Sequence, residues 1–529
     1  MSGEGGGEAP VVLAVDLGTG GPKIALVDLD GTVIGSAHRR IEPRVSADGA
    51  AVQDADTWWE ALLEGAGELV EGHPAARSRI VAVAVTGQWG STVPVDAAGD
   101  PAGDCILWMD TRARDLAREA LGGRVTVEGF GPRKVVEFIR RAGGAPSLEG
   151  NDPLGQRLWI EHEQPDVYRR TAHFLEPLDF LNARLTGRVC ATPVSMLLSW
   201  LFDNRRLDQA RYDPVLVTLA GADPSRLPPL LPVASEVGPV RLEVARRIGL
   251  PDGVPVVTAL PDLHTAALGS GAVGLYEPHM AISTSAWIGC HTPGKRTSIG
   301  RQMATVPSAL PDRYLLANNH ETAGVCAEWA RNTFVLADDG LTEPAEPSLA
   351  AFDAVAAQAP SGSGGVLFAP WLNGERSPVA DTALRGSFHN LSLSTTRAEM
   401  VRAVLEGVAH NARWLLEASE KVLRHPLDGM RVVGGGAVSD VWCQIHADVL
   451  GRSLARPHDP LLVSSRGAAF FAGLVLGHLR VDDLPARAAV ERTFEPDPST
   501  RTLHDAMHRE FTGLHKAEKA MYHRLRKLR

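Results

Sequence analysis

The chain is 529 residues long, 44% hydrophobic, and carries a formal net charge of −10 with a pI near 6.0. That length exceeds one comfortable core and suits two, each of roughly 200 to 250 residues. The acidic balance lacks the surplus of Lys and Arg that grips phosphate backbones, so nucleic acid is not an expected partner, and a soluble metabolic protein is.

Five widely spaced cysteines, Cys105, Cys190, Cys290, Cys326 and Cys443, form no C-x-x-C pair and read as reduced, buried thiols. The Gly- and Glu-rich start, Met1 to Pro10, lacks the basic-then-apolar order of a signal peptide. The apolar run Ala468 to Gly477 is about half a membrane span. No membrane partner and a cytoplasmic location are therefore expected.

In chain order, Val11 to Val15 predicts a strand that ends in the turn-rich Asp16-Leu17-Gly18-Thr19-Gly20-Gly21 and returns through Ile24 to Val27. Asp28-Leu29-Asp30-Gly31 supplies a second turn, so three antiparallel strands open the first domain. Ile80 to Val85 is a continuous apolar run of the kind buried on both sheet faces, and it runs out into Thr86-Gly87-Gln88-Trp89-Gly90-Ser91. Residues 125–240 mix amphipathic helices with Pro-rich loops, as an elaboration would.

A second domain is expected to start near Val254 to Leu260, a strand ending in Pro261-Asp262. The small residues of Thr265 to Gly269 suit a helix that approaches a sheet or ligand closely. Met280 to Ser285 echoes the opening strand and loop. Thr396-Arg397-Ala398-Glu399 is a capping box before a one-faced helix, and Met430 to Val433 leads into Gly434-Gly435-Gly436 and a helix from about Ser439 or Asp440. The segment beyond Ala486 ends in a basic, helix-like tail to which no function is assigned.

Three of these loops carry ingredients of ATP chemistry. Asp16-Leu17-Gly18-Thr19 with Lys23 offers a carboxylate for magnesium, close backbone approach and a hydroxyl for phosphate, or it is simply a turn. Ser283-Thr284-Ser285 offers hydroxyls to phosphate or caps its own turn, and Gly434 to Gly436 offers bare backbone before a helix or is a tight connection. Asp262 is either a general base toward a hydroxyl or a helix N-cap. Asp110 is a ligand or the partner of Arg112. No Walker-type loop is present.

These loops, together with Gly87-Gln88, Leu107-Trp108-x-Asp110-x-Arg112, Leu178-Asp179-Phe180-Leu181 before Leu185-Thr186-Gly187, and Phe368-Ala369-Pro370-Trp371-Leu372-Asn373-Gly374-Glu375-Arg376-Ser377-Pro378, resemble the FGGY carbohydrate kinases, the xylulokinase branch most. The resemblance implies an α/β chain of two actin-like, ribonuclease-H-like ATPase domains with a cleft between them. These are a sugar-side domain over 11–255, an ATP-side domain over 256–480, and a helical tail over 481–529.

By motif position the resemblance gives ATP and phosphate contacts to Asp16, Gly18, Thr19, Lys23, Thr284, Ser285, Gly324, Gly435, Gly436 and Asp440. It gives substrate contacts to Gln88, Trp89, Gly90, Asp110, Asp262 and Leu263. Mg2+ falls to Asp16 and Asp262, and catalysis to Asp262 as the base. The implied partner is a small sugar or polyol, and a homodimer stays open. Three departures stand out: Gln88-Trp89-Gly90-Ser91 replaces the branch's Gln-Met-His-Gly, Asp262-Leu263 its Asp-Asn, and Ser283-Thr284-Ser285 the family's Gly-Thr-Ser. Another polyol kinase or a non-catalytic binder are the alternatives, whereas an actin-like assembly ATPase would leave Gly374-Glu375-Arg376-Ser377-Pro378 unexplained.

Overall fold

A computed structural model describes residues 8–206, 209–335 and 349–528. The chain divides into two compact units: residues 1–271 with 306–313 and 462–487, and residues 272–305 with 314–461 and 488–529.

The first unit is built on a sheet whose opening strands are β1 (Val11–Gly18), β2 (Gly21–Asp28) and β3 (Val33–His38). β4 (Ile80–Gly87), β5 (Glu236–Pro239), β6 (Pro255–Val257) and the two-residue β7 (Leu260–Pro261) complete it. The order is β5-β6-β4-β1-β2-β3, with β7 also on β4. β2 is antiparallel to both β1 and β3, β1 and β6 run parallel to β4, and β5 is antiparallel to β6. Val11 to Val15 are fully buried because the sheet is covered on both faces, which is why they read as an unbroken apolar run. Helix α1 (Ala55–Gly72), capped by the Asp54 side chain, lays Trp58, Leu62, Ala66 and Leu69 on this core at helical spacing.

Two more helices matter for function, α2 (Pro177–Thr186) and α3 (Asp262–Ser270). The helix Val463–Val475 crosses α3 at a pair of glycines. A Cβ on Gly269 would stand 1.9 Å from the Val463 carbonyl oxygen, and one on Gly467 1.8 Å from that of Thr265. Only glycine permits that approach. The expectation of a close-packed helix at Thr265 to Gly269 thus has its partner.

The second unit repeats the plan. Its eight-stranded sheet contains β8 (Pro278–Ile282), β9 (Ala286–Thr292), β10 (Tyr314–Ala317), β11 (Met430–Val433), β12 (Leu454–Pro457) and β13 (Val490–Phe494). The order β10-β9-β8-β11-β12-β13 has two antiparallel pairs, two parallel pairs and a final antiparallel pair, as in the first unit. Its helices include α4 (Gly324–Ala330), the 27-residue α5 (Arg397–Leu423), α6 (Asp440–Leu450) and α7 (Arg501–Arg526). α5 starts at the expected capping box, with Thr396 and Glu399 each holding the other's backbone amide.

The units depart from the boundaries expected at 255/256 and 480/481. The first extends through Gly271 because β7 pairs with β4, and it also takes the helix Val463–Val475 and residues to 487. The tail is the long helix α7, which buries His504, Met507, His508, Phe511 and Tyr522 in the second unit. All five cysteines are buried and free. No helix among the described residues is long and apolar enough to cross a membrane.

Candidate active site

Strand register assembles the acidic site of the first unit. Asp16 on β1 faces Lys23 across the hairpin and Thr86 on β4, while Pro261 on β7 faces Gly87. Asp262, the next residue, therefore emerges beside the end of β4 as the first residue of α3. Thr86 and Thr265 join the two elements through hydroxyls 2.7 Å apart.

Asp262 does not cap its helix through N2 or N3. Its Oδ1 accepts the amide of Leu263 at 2.7 Å, and the N-cap is Pro261. Burial, and then the negative charge of Asp16, push the Asp262 carboxyl up to about 7 against the pull of the Leu263 amide and of Lys23. Asp16 is 6% exposed, with the Lys23 ammonium 3.4 Å from its Oδ2. A carboxyl poised near neutrality beside a second carboxylate can exchange a proton with a hydroxyl.

The 88–91 loop runs off β4. The Gln88 Oε1 accepts from the Thr19 hydroxyl at 3.1 Å, and that hydroxyl accepts from the Trp108 indole at 3.2 Å. Thr19, expected on phosphate, is thus tied into the loop expected to hold substrate. The Gln88 Nε2 is buried without a partner. Trp89 donates its indole N–H to Ser195 O at 2.7 Å and meets His264 edge-on at 5.8 Å. Its polar handle is engaged, so it and the buried Leu263 offer apolar surface. His264 donates from Nε2 to Pro307 O, and burial pulls its ring down to about 4.

Asp110 is 3% exposed and saturated. Arg112 grips both its oxygens, at 2.7 to 3.2 Å, and the Ala51 amide adds a bond at 2.9 Å. The ion pair with Arg112 is thus present, and the expected substrate contact would have to be made by these same oxygens. Gln156 and Glu176, which no motif pointed to, support the 88–91 loop from below. Gln156 Nε2 donates to Gly90 O at 2.8 Å, and Glu176 accepts the amides of Gly90 and Ser91. Burial, then the charge of Asp179, hold Glu176 well above the ordinary carboxylate range.

In the second unit, three expected segments converge. Thr284 and Ser285 form the turn between β8 and β9, and the carbonyls of Ser283 and Thr284 receive the amides of Gly324 and Ala323 at the start of α4. A Cβ on Gly324 would lie 2.4 Å from Ser283 O, and one on Gly434 2.7 Å from Ile282 O. Gly435 is exposed, so bare backbone faces solvent there. The hydroxyls of Thr284 and Ser285 make no hydrogen bond among the described residues. Asp440, expected on the nucleotide, pairs with Arg456 at 2.7 Å and with Arg492, one on each oxygen.

Glu375, from the 368–378 motif, is buried and accepts the amides of Glu321 and Arg376 and the side-chain amide of Asn411. Burial pushes it up to about 7. It cross-links three segments of the second unit, in keeping with a supporting role for the motif.

The N-terminal-domain profile of the FGGY family of carbohydrate kinases matches residues 11–269, and the C-terminal-domain profile matches residues 282–476. A xylulose kinase of Staphylococcus epidermidis is 28% identical over 97% of both chains, and a glycerol kinase of Gloeobacter violaceus is 29% identical over 92% of both. The crystal structure of a xylulose kinase from Rhodospirillum rubrum superposes with a TM-score of 0.80 at 26% identity, covering 97% of this chain and all of that one. With most of its length matched by both halves of one family, this chain belongs to the FGGY carbohydrate kinases.

Proposed function

We propose that this sugar kinase transfers the γ-phosphoryl group of ATP to a hydroxyl of a small ketose or polyol in the cytoplasm, with a pentulose such as D-xylulose as the leading acceptor. The observation that carries the reading is Asp262, a carboxyl at about 7 placed by β7 and α3 next to Asp16 and the 88–91 loop. A base with that affinity takes the proton of the attacking hydroxyl as it begins to bond to phosphorus. The Leu263 amide fixes the oxygen that does not react, and Lys23 moderates the charge of the acidic pair.

Two neighbouring carboxylates suit a divalent cation, which typically binds one or two protein carboxylates plus substrate phosphates. Asp16, with Asp262 beside it, would hold Mg2+, whose chemistry there is to neutralise phosphoryl charge. In the second unit the free hydroxyls of Thr284 and Ser285 would donate to phosphate oxygens, and the open backbone at Gly324, Gly435 and Gly436 would accommodate the nucleoside.

A second reading, a kinase for a smaller or less hydroxylated polyol, is favoured by Gly90 and Leu263 where the xylulokinase branch carries His and Asn, with the apolar face of Trp89 beside Gly90. The glycerol kinase likeness at 29% identity supports it equally. ADP release from magnesium-ATP, measured across ketoses, glycerol, erythritol and deoxy sugars, separates the readings. Acceptor-dependent release names the substrate class, and release indifferent to every acceptor would overturn both.

A further inference from the structure

Glu176 stands immediately before α2 and is 1% exposed, a costly place for a carboxylate. The bland explanation, that it caps α2, fails: its side chain makes no capping bond. Instead its Oε2 accepts the amide of Gly90 at 3.0 Å and that of Ser91 at 3.2 Å, and its Oε1 lies 3.3 Å from the Gly90 nitrogen. Gly90 holds φ +84, a conformation that other residues adopt only with strain.

The bonds continue outward. Ser91 Oγ accepts the Trp108 amide at 3.0 Å, the Trp108 indole donates to Thr19, and Thr19 donates to Gln88. Gln156 holds the opposite side of the same turn through Gly90 O and Leu107 O. Among the described residues, the Gln88 Nε2 at the end of this path is a buried side-chain donor without a partner. A carboxylate that holds two successive amides thus governs the direction in which that donor is offered.

We infer that Glu176 is a positioning residue for acceptor binding: by holding the Gly90 and Ser91 amides it sets the 88–91 loop so that Gln88 presents its free N–H to an acceptor hydroxyl. The inference rests on the sugar-kinase reading for its effect on turnover, but the clamp itself is measurable without turnover. An amide left unpaired in the interior is costly whatever the charge of the group that held it. Glu176→Gln keeps the size and one acceptor oxygen but sets an N–H against an N–H.

The test is hydrogen exchange of the peptide spanning residues 86–95 in the full chain, alongside steady-state kinetics with the best acceptor from the panel. For Glu176→Gln the expected result is exchange in that peptide faster by about tenfold with the rest unchanged. Acceptor KM should rise about tenfold or more, while kcat and the KM for ATP stay within about threefold. Glu176→Asp, which retracts the carboxylate by one methylene, should fall between wild type and Gln, and it carries the test if the Gln variant does not fold. Unchanged exchange overturns the clamp. An equal loss in kcat and in both KM values overturns the positioning role and leaves only a structural one. A wild type that phosphorylates nothing would sink the kinase reading and with it the role in acceptor binding, whereas the exchange result alone decides whether the clamp exists.

Discussion

The two units share one strand plan but fill the same positions with opposite chemistry. At the β1–β2 turn and the end of β4, the first unit places Asp16, Lys23 and Gln88, with Asp262 brought alongside by β7. At the β8–β9 turn and the end of β11, the second places Ser283, Thr284, Ser285 and three glycines, with no charge among them. Under the proposed reaction, a duplicated scaffold would separate tasks. Charged groups that move a proton need burial to tune them, whereas a long polyanionic ligand needs room and neutral donors.

The sharpest way to break this contrast is Asp262→Asn. Loss of a general base costs about a hundredfold or more in kcat, and nucleotide affinity, assigned to the second unit, should be unchanged by calorimetry. In wild type, kcat/KM should fall about tenfold per pH unit below about 7, because only the ionised carboxyl accepts a proton. Asp262→Asn should flatten that limb. A variant within a few-fold of wild type would mean that another group takes the proton.

Acid should strike the units unequally. The second buries His320, His446 and His504, whose rings burial pulls down to about 3, 4 and 4, and His410, held well below its usual value. His410 on α5 packs at 5.7 Å against both His504 and His508 on α7, with Arg402, Arg413, Arg501, Asp505 and Glu417 around them. Above about 6.5 a histidine is neutral folded or unfolded, and the effect vanishes. Below it the unfolded chain takes up protons that the folded rings refuse, so stability falls with pH. For His504 alone the loss is about 2 kcal/mol at pH 5. Melting followed by hydrogen exchange at pH 5 should open α7 before the first unit, and His504→Phe should recover part of the loss. Equal melting of both units at pH 5 would refute the assignment.

Gly434 tests the other half of the contrast. At φ +92 and ψ −176, with Ile282 O 2.7 Å from where a Cβ would stand, Gly434→Ala forces the β11 turn to shift. Strain of about 1–3 kcal/mol should raise the KM for ATP about tenfold and leave acceptor KM unchanged. A selective rise in acceptor KM would reverse the division of labour proposed for the units.

The sequence shows these loops plainly because each follows a short apolar run and carries turn residues, which are local signals. What escaped it is non-local. Glu176 meets Ser91 across 85 residues of chain, and nothing near Glu176 announces that contact. Asp110 accepts the Ala51 amide from 59 residues away, a contact that the Trp108 to Arg112 motif does not announce. The compact units differ from the expected domain bounds because β7 and the helix Val463–Val475 join the first unit through strand pairing and a glycine crossing that are invisible in one segment. The helical pattern of the tail reads weakly because His504 and His508 occupy core positions where aliphatic residues usually mark a helix face.

The smallest expected effect concerns specificity within the first unit. Restoring both residues of the xylulokinase branch is an obvious design, but Gly90→His would place a side chain at φ +84, 3.0 Å from Leu198 Cδ1, and would disturb the loop before it could bind anything. Leu263→Asn avoids that strain. Leu263 is buried next to Asp262, the proposed base, and its apolar face cannot reject an acceptor that lacks a hydroxyl, because no protein polar group is left unpaired by the loss. Wild type should therefore use at least one deoxy or reduced analogue with higher kcat/KM than D-xylulose. An amide at 263 adds a group that needs a partner, so Leu263→Asn should move the ratio a few-fold toward the fully hydroxylated sugar. Competition between D-xylulose and its deoxy analogue, with both products quantified, reads this ratio directly. A ratio that does not move would show that the Leu263 side chain does not border the bound acceptor.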